Sequence, residues 1–295
     1  MTSLQKKYLI GALTILLLIT GGIFFSRKKT PIPIPLPQIV ATKILPEEKL
    51  IGTSVEGREI KAFVYGTGTT HLLFVGGIHG GYEWNSVLLA YQVMDYLKEN
   101  PDAVPKNITV TIIPSANPDG LSKVIQKEGR FSLADVPTSN TLPLGTGRFN
   151  ANNVDLNRNF DCKWQPKSMW RSKTVSAGSK VFSEPEAVAL RDFIVEYSPQ
   201  SVVFWHSMGN SVYASQCKEG IIPETLSIMN VYAKASGYNA IKTFDTYQTT
   251  GDAESWLASI GIPSITVELK THETVELSQN IAGIKALFKY YTRSY

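Results

Sequence analysis

Short apolar runs alternate with amphipathic stretches along most of this chain, and that alternation limits the folds open to it. Strands are expected at Ile60–Tyr65, Leu72–Val75, Ile108–Ile113, Ser201–Trp205 and Ser264–Leu269. Helical periodicity marks Trp84–Glu99, Glu184–Tyr197, Glu224–Ser236 and Ile281–Tyr291. Strands that alternate with helices predict an α/β domain on a largely parallel sheet. Ser183-Glu184-Pro185-Glu186 reads as a capping box of Ser183 with Glu186, with proline in the first turn of the second helix. Between the third strand and that helix, Leu121–Ser179 lacks periodicity and is rich in Asn, Gly, Ser and Pro. A long irregular segment inside a compact domain usually serves function.

In parallel sheets, sites form where strands hand over to helices. One handover is Gly76-Gly77-Ile78-His79-Gly80-Gly81-Tyr82-Glu83, between Leu72–Val75 and Trp84. A second histidine, His206, follows Val202-Val203-Phe204-Trp205 at the end of another strand. Strand ends of one hand share a sheet edge, so His79 and His206 can meet. With Glu83 they make a His₂Glu set, and three protein ligands leave one position of a zinc ion open to water, as in catalytic sites. His71 and His272 lack such placement and read as surface residues. Glu268 is the single acid in Ile265-Thr266-Val267-Glu268-Leu269. An ionised carboxylate in such a strand must face a cavity, a partner or a metal, which makes it the candidate general base. Arg148 through Asn159 brings two arginines and several carboxamides into the aperiodic segment. Such a loop suits a substrate with a free carboxylate, while an Asx-rich turn with surface arginines is the alternative.

The N-terminus has a different character. Tyr8–Phe25 is 18 uncharged residues between Lys6-Lys7 and Arg27-Lys28-Lys29. That length reaches a membrane span and exceeds a usual signal h-region, and no small-x-small cleavage site follows. The expectation is a single-pass anchor over 1–29, with a cleaved signal as the alternative. Both flanks are basic, so the positive-inside rule leaves the orientation open. Thr30–Gln38 alternates proline with apolar residues and reads as a semi-rigid spacer within a 30–43 linker, ahead of a domain over 44–295. Subtracting the five cations of residues 1–29 from the net +4 leaves the rest of the chain at −1. No basic footprint for nucleic acid remains on the domain. Cys162 and Cys217 can pair if the domain lies outside the cytoplasm, and two unrelated thiols are the other reading.

Taken in order, these pieces resemble the zinc carboxypeptidase family of metallopeptidases. The likeness runs from about Ile51 to the C-terminus. It is carried by Gly57-Arg58, Gly77-Ile78-His79 with Glu83, Asn117-Pro118-Asp119-Gly120, Val154-Asp155-Leu156-Asn157-Arg158-Asn159-Phe160, Phe182-Ser183-Glu184-Pro185-Glu186, His206-Ser207, Tyr247 with Gly251 and Trp256, and Thr266-Val267-Glu268-Leu269. The resemblance implies a mixed, largely parallel eight-stranded sheet with helices on both faces. It implies one Zn²⁺ held by His79, Glu83 and His206, Glu268 as base and then proton donor, and Arg148 as stabiliser of the oxyanion. Asn157 and Arg158 would hold the substrate carboxylate, and Tyr247 would fold over it. Counting from Tyr247, Glu254 falls at the specificity-pocket position whose acid, in relatives, favours Lys, Arg or a diamino acid. One departure stands out: the family spacing is His-x-x-Glu, whereas three residues separate His79 from Glu83 here.

The expected function is thus hydrolysis of C-terminal peptide bonds by a membrane-anchored, extracytoplasmic zinc metallocarboxypeptidase. A stem-peptide amidase cutting beside diaminopimelate is a second reading. An inactive, anchored module that binds carboxylate-bearing peptides is a third, suggested by the extra residue alone.

Overall fold

A computed structural model describes residues 46–137 and 144–293. The expected anchor and linker lie outside them; among the described residues no helix is long and apolar enough to cross a membrane. The strands are β1 (Glu47–Thr53), β2 (Glu59–Tyr65), β3 (Thr70–Val75), β4 (Ile108–Ile113), β5 (Lys167–Trp170), β6 (Lys173–Ser176), β7 (Ser201–Ser207), β8 (Ser211–Ala214), β9 (Asn239–Ile241) and β10 (Ser264–Leu269). The α-helices are α1 (Trp84–Glu99), α2 (Pro118–Ile125), α3 (Pro185–Tyr197), α4 (Pro223–Ser236), α5 (Ala253–Ser259) and α6 (Leu277–Arg293).

Eight strands form one sheet in the order β1-β2-β4-β3-β7-β10-β8-β9, and β5-β6 is a separate hairpin. The centre, β4-β3-β7-β10, is parallel, whereas β1-β2, β2-β4 and β10-β8 are antiparallel. Alternation along β3 builds two cores. Leu72 and Phe74 pack with α1, α4 and α6 on one face, and Leu73 and Val75 with α3 and α5 on the other. The mixed sheet is therefore covered on both faces, and its central strands are buried along most of their length because neither face meets water.

Three sequence expectations need correction. Ser183 and Glu186 form no capping box: Glu184 is the N-cap of α3 and no side chain caps it. Ser183 Oγ instead donates to Glu184 Oε1 (2.7 Å), and Glu186 accepts from Val55 N (3.2 Å) and Asn150 Nδ2 (3.2 Å). Those carboxylates tie α3 to the β1–β2 turn and the irregular segment. His71 is buried, not superficial: its Nε2 meets Thr111 Oγ1 at 2.7 Å on the neighbouring strand β4, and burial lowers its pKa. His272 is half-buried, with its ring 4.5 Å from that of Tyr82 and its Nδ1 2.8 Å from Ser207 Oγ.

Candidate active site

The central order β3-β7-β10 sets three carboxyl ends side by side. β3 leads through Gly76-Gly77-Ile78 to His79, and a 3₁₀ turn over Gly80–Glu83 carries the chain into α1. β7 extends past Trp205, so His206 lies within the strand, in register with Glu268 of β10. Paired positions of neighbouring strands share a face, which places Glu268 beside His206.

His79, Glu83 and His206 converge and are 5%, 3% and 2% exposed. His79 Nδ1 lies 2.9 Å from Glu83 Oε1, His206 Nδ1 lies 3.1 Å from Glu83 Oε2, and the two Nδ1 atoms are 3.2 Å apart. Two nitrogens and a carboxylate so disposed suit a cation. Ligands 2.0–2.1 Å from a tetrahedral zinc stand about 3.3 Å from one another, close to these separations. The outer nitrogens also face carboxylates. His79 Nε2 is 3.5 Å from Asp155 Oδ1, and His206 Nε2 is 2.9 Å from Glu254 Oε1. Burial pushes the Glu83 carboxyl up, but the two imidazoles outweigh it and hold it well below its usual range.

Glu268 lines the same cavity, and its Oε2 is buried without a hydrogen-bond partner. Burial, reinforced by the charge of Glu83, pushes its pKa up to about 7. Arg148, 2% exposed, donates from Nε to Asp155 Oδ2 at 2.8 Å, and its guanidinium lies 4.8 Å from the Trp170 ring. Burial also pushes Asp155 up, yet Arg148 holds it well below its ordinary value. Arg148 Nη2 has no partner. Arg158 donates from Nη2 to Met169 O (3.0 Å) and from Nη1 to Asn157 O, and among the described residues no carboxylate lies within ion-pair distance of it. A buried guanidinium without a counter-ion in a cavity wall is a receptor for an anion. Asn157 Oδ1 accepts from Ala253 N at 2.8 Å, and Asn157 and Tyr247 line the cavity too.

Glu254 lines the cavity as well. Its Oε1 is shared by His206 Nε2 and Thr266 Oγ1 (3.2 Å), so that oxygen is engaged with the protein. Burial pushes Glu254 up, whereas His206 and Asn157 bring it below its ordinary value. Asp155 is the site residue that sequence reasoning passed over. An acid between Val154 and Leu156 was its available signal. Cys162 and Cys217 form a disulfide.

The zinc carboxypeptidase family model matches residues 44–284. The chain belongs to the zinc carboxypeptidase family. Its metallopeptidases use one zinc ion, and the His79-Glu83-His206 cluster fits that ion. Gamma-D-glutamyl-L-diamino acid endopeptidase 1 of Lysinibacillus sphaericus is 24% identical over 238 residues, covering 74% of this chain and 59% of that protein. Carboxypeptidase B of Astacus astacus is 27% identical over 162 residues, covering 52% of this chain and 51% of that one. The chain thus spans less than two thirds of the length of these curated relatives. Bovine thrombin-activatable fibrinolysis inhibitor, solved with tick carboxypeptidase inhibitor, superposes with a TM-score of 0.68 at 19% identity, covering 85% of this chain and 92% of that one. Murein-tripeptide amidase MpaA from Escherichia coli O157 does so at 0.57 and 22% identity, over 83% and 92%. Both likenesses are of fold.

Proposed function

We propose that this zinc carboxypeptidase relative is a zinc-dependent hydrolase that cleaves the C-terminal peptide bond of a substrate with a free carboxylate. One observation carries the reading: Glu268, whose Oε2 has no hydrogen-bond partner, and Arg158, with no carboxylate within ion-pair distance among the described residues, line a single cavity with His79 and His206. Zinc, when bound by His79, Glu83 and His206, supplies Lewis acidity toward water and the scissile carbonyl. Glu268 takes the proton of the attacking water and returns it to the leaving amine, and a pKa near 7 suits both directions. Arg148, fixed by Asp155 and Trp170, donates from Nη2 to the charge developing on the carbonyl oxygen. Asn157 and Arg158 hold the terminal carboxylate, and Tyr247, on the exposed segment before α5, closes over the bound residue. The inactive-module reading loses its ground, because the extra residue leaves the three donor groups convergent.

A second reading changes the substrate. One relative is named for a gamma-D-glutamyl-L-diamino acid bond and one structural neighbour for a murein tripeptide, and the cavity of this chain carries Asp252 beside its arginines. A stem peptide ending in a diamino acid would present both signs of charge to those walls. We also propose that Tyr8–Phe25 anchors the domain outside the cytoplasm; the Cys162–Cys217 disulfide supports an oxidising compartment.

One screen tests these readings: C-terminally unblocked peptides and muropeptides, each with and without a zinc chelator. Chelator-sensitive release of ordinary C-terminal residues supports the first reading, and release from muropeptides alone supports the second. Turnover unaffected by complete zinc removal contradicts both.

A further inference from the structure

Glu254 was expected on the wall of the specificity pocket; it lines the cavity, but its Oε1 is engaged by His206 and Thr266. It opens α5, a two-turn helix whose first turn is capped by Asp252 and fastened to the sheet at two points. Asp252 accepts from Ser255 N at 2.8 Å and caps the helix. Ser264 Oγ donates to the main-chain oxygen of Glu254 at 3.1 Å, and Thr266 Oγ1 donates to its Oε1 at 3.2 Å. Ser264, Thr266 and Glu268 are alternate residues of β10, so they leave the strand on one face. The first two hold Glu254 while the third presents its carboxylate to the cavity. Held in this way, Glu254 Oε1 lies 2.9 Å from His206 Nε2, and the residue is 4% exposed.

We infer that Glu254 is a positioning residue for the metal ligand His206, rather than the acid that selects the substrate side chain. The role rests on the reading that His79, Glu83 and His206 hold zinc. An imidazole that gives its Nε2 proton to a carboxylate keeps its Nδ1 lone pair for the metal and is fixed in orientation. His206 Nδ1 faces Glu83 and His79 Nδ1, at 3.1 and 3.2 Å. The tautomer that Glu254 selects is therefore the one the donor set needs. His79 has a carboxylate nearby too, but beyond hydrogen-bond contact: Asp155 Oδ1 lies 3.5 Å from its Nε2, with Arg148 fixing Asp155 from behind. Each imidazole is thus backed by a carboxylate that a further side chain holds: Arg148 for one, Thr266 for the other. The two supports differ in origin, since Asp155 comes from the irregular segment and Glu254 from α5.

The test is zinc affinity, measured by chelator competition on the full chain without any turnover. Removing an outer carboxylate behind a metal-bound histidine weakens binding by about 10- to 100-fold. Glu254→Ala is expected to show that loss, with a changed visible absorption spectrum of the Co²⁺-loaded protein. Glu254→Gln keeps an acceptor at the position of Oε1 and is expected to recover part of the affinity, which a merely structural defect would not do. The ratio of turnover on hippuryl-Arg to hippuryl-Phe should stay as in wild type in the Gln variant. A Glu254→Ala protein that binds zinc within about threefold of a zinc-binding wild type overturns this role alone. So does a Gln variant that keeps full affinity but loses a preference for Arg, since that is the behaviour of a pocket-wall acid. A wild-type chain that binds no zinc overturns both the metal site and this role.

Discussion

Glu268→Gln should separate catalysis from stability, and the structure sets the size and sign of the effect. A carboxyl whose pKa rises from 4.5 to about 7 on folding binds more protons in the folded state than in the unfolded one between those values. Stability then falls as pH rises through that window, and the deficit is fully developed above the folded pKa. With 1.36 kcal/mol per pKa unit, the ionised Glu268 costs the metal-free protein roughly 3 kcal/mol near pH 8 and under about 1 kcal/mol near pH 5. Glutamine has nearly the same shape and no charge to bury. In urea titrations of metal-free protein, the variant should therefore gain roughly 2–3 kcal/mol more over wild type near pH 8 than near pH 5. Glu83 titrates the opposite way, and because its charge is one cause of the raised Glu268 pKa, its response to losing the Glu268 charge is part of the same difference. Turnover should meanwhile drop by several orders of magnitude at unchanged zinc content. A stability difference that does not vary with pH refutes the burial argument, and retained turnover refutes the assignment of the base.

The remaining expectations are simpler. His206→Ala should bind less than one zinc per chain by metal analysis and lose the rise in Tm that added zinc gives the wild type; unchanged stoichiometry would remove His206 from the ligand set. Arg158→Ala should lower kcat/KM by about 10- to 100-fold, mainly through KM, because hydrogen bonds to a charged group contribute about 1.5–3 kcal/mol. Arg148→Ala should instead act on kcat, by about 10²- to 10³-fold, if it serves the developing oxyanion. Steady-state kinetics of the two variants with the same substrate will show whether the two roles are distinct. Reducing Cys162–Cys217, which closes a span of 55 residues, should lower unfolding free energy by about 4 kcal/mol on chain-entropy grounds, read from urea midpoints with and without reductant.

Much of this arrangement is legible in the chain before folding, and the failures have physical causes. Strands buried on both faces announce themselves: Ile108–Ile113 and Ser264–Leu269 end where expected, and helix α1 keeps its predicted limits. Strands at the margins do not. β1 opens on two exposed glutamates and a half-buried lysine, and β9 is three residues long with two exposed, so neither has an apolar pattern to read. Helix α2 begins Pro118-Asp119-Gly120, which reads as a turn; Asn117 turns it into a helix start by accepting from Gly120 N at 2.9 Å. The meeting of His79 and His206 was visible because strand-end position is a property of local sequence. The supports behind them were not, since which carboxylate reaches His79 or His206 depends on where a loop and a short helix pack. His71 erred for the same reason: its burial is satisfied by Thr111, 40 residues away in the chain.

The extra residue between His79 and Glu83 also has a physical account. A 3₁₀ turn absorbs it, with Gly80 N donating to Gly77 O at 2.9 Å and Tyr82 N to His79 O at 3.1 Å. Gly80 takes φ +47°, which a side chain rarely adopts, and a Cβ there would stand 2.7 Å from Gly147 O. The turn therefore lies main chain to main chain against the segment ending in Arg148, an approach that only glycine permits. Tyr82, the last residue of the longer spacer, then makes contacts of its own. Tyr82 packs edge-on to Trp170 with centroids 5.1 Å apart, and the Arg148 guanidinium lies 4.8 Å from the Trp170 ring and 5.8 Å from that of Tyr82. Cation–π contacts of this kind hold a guanidinium without consuming its N–H donors. That leaves Nη2 of Arg148 free for a substrate oxygen. The longer spacing thus leaves His79, Glu83 and His206 convergent, and the same turn supplies Tyr82 to the aromatic wall beside Arg148, so the cluster and the guanidinium are linked through one glycine contact.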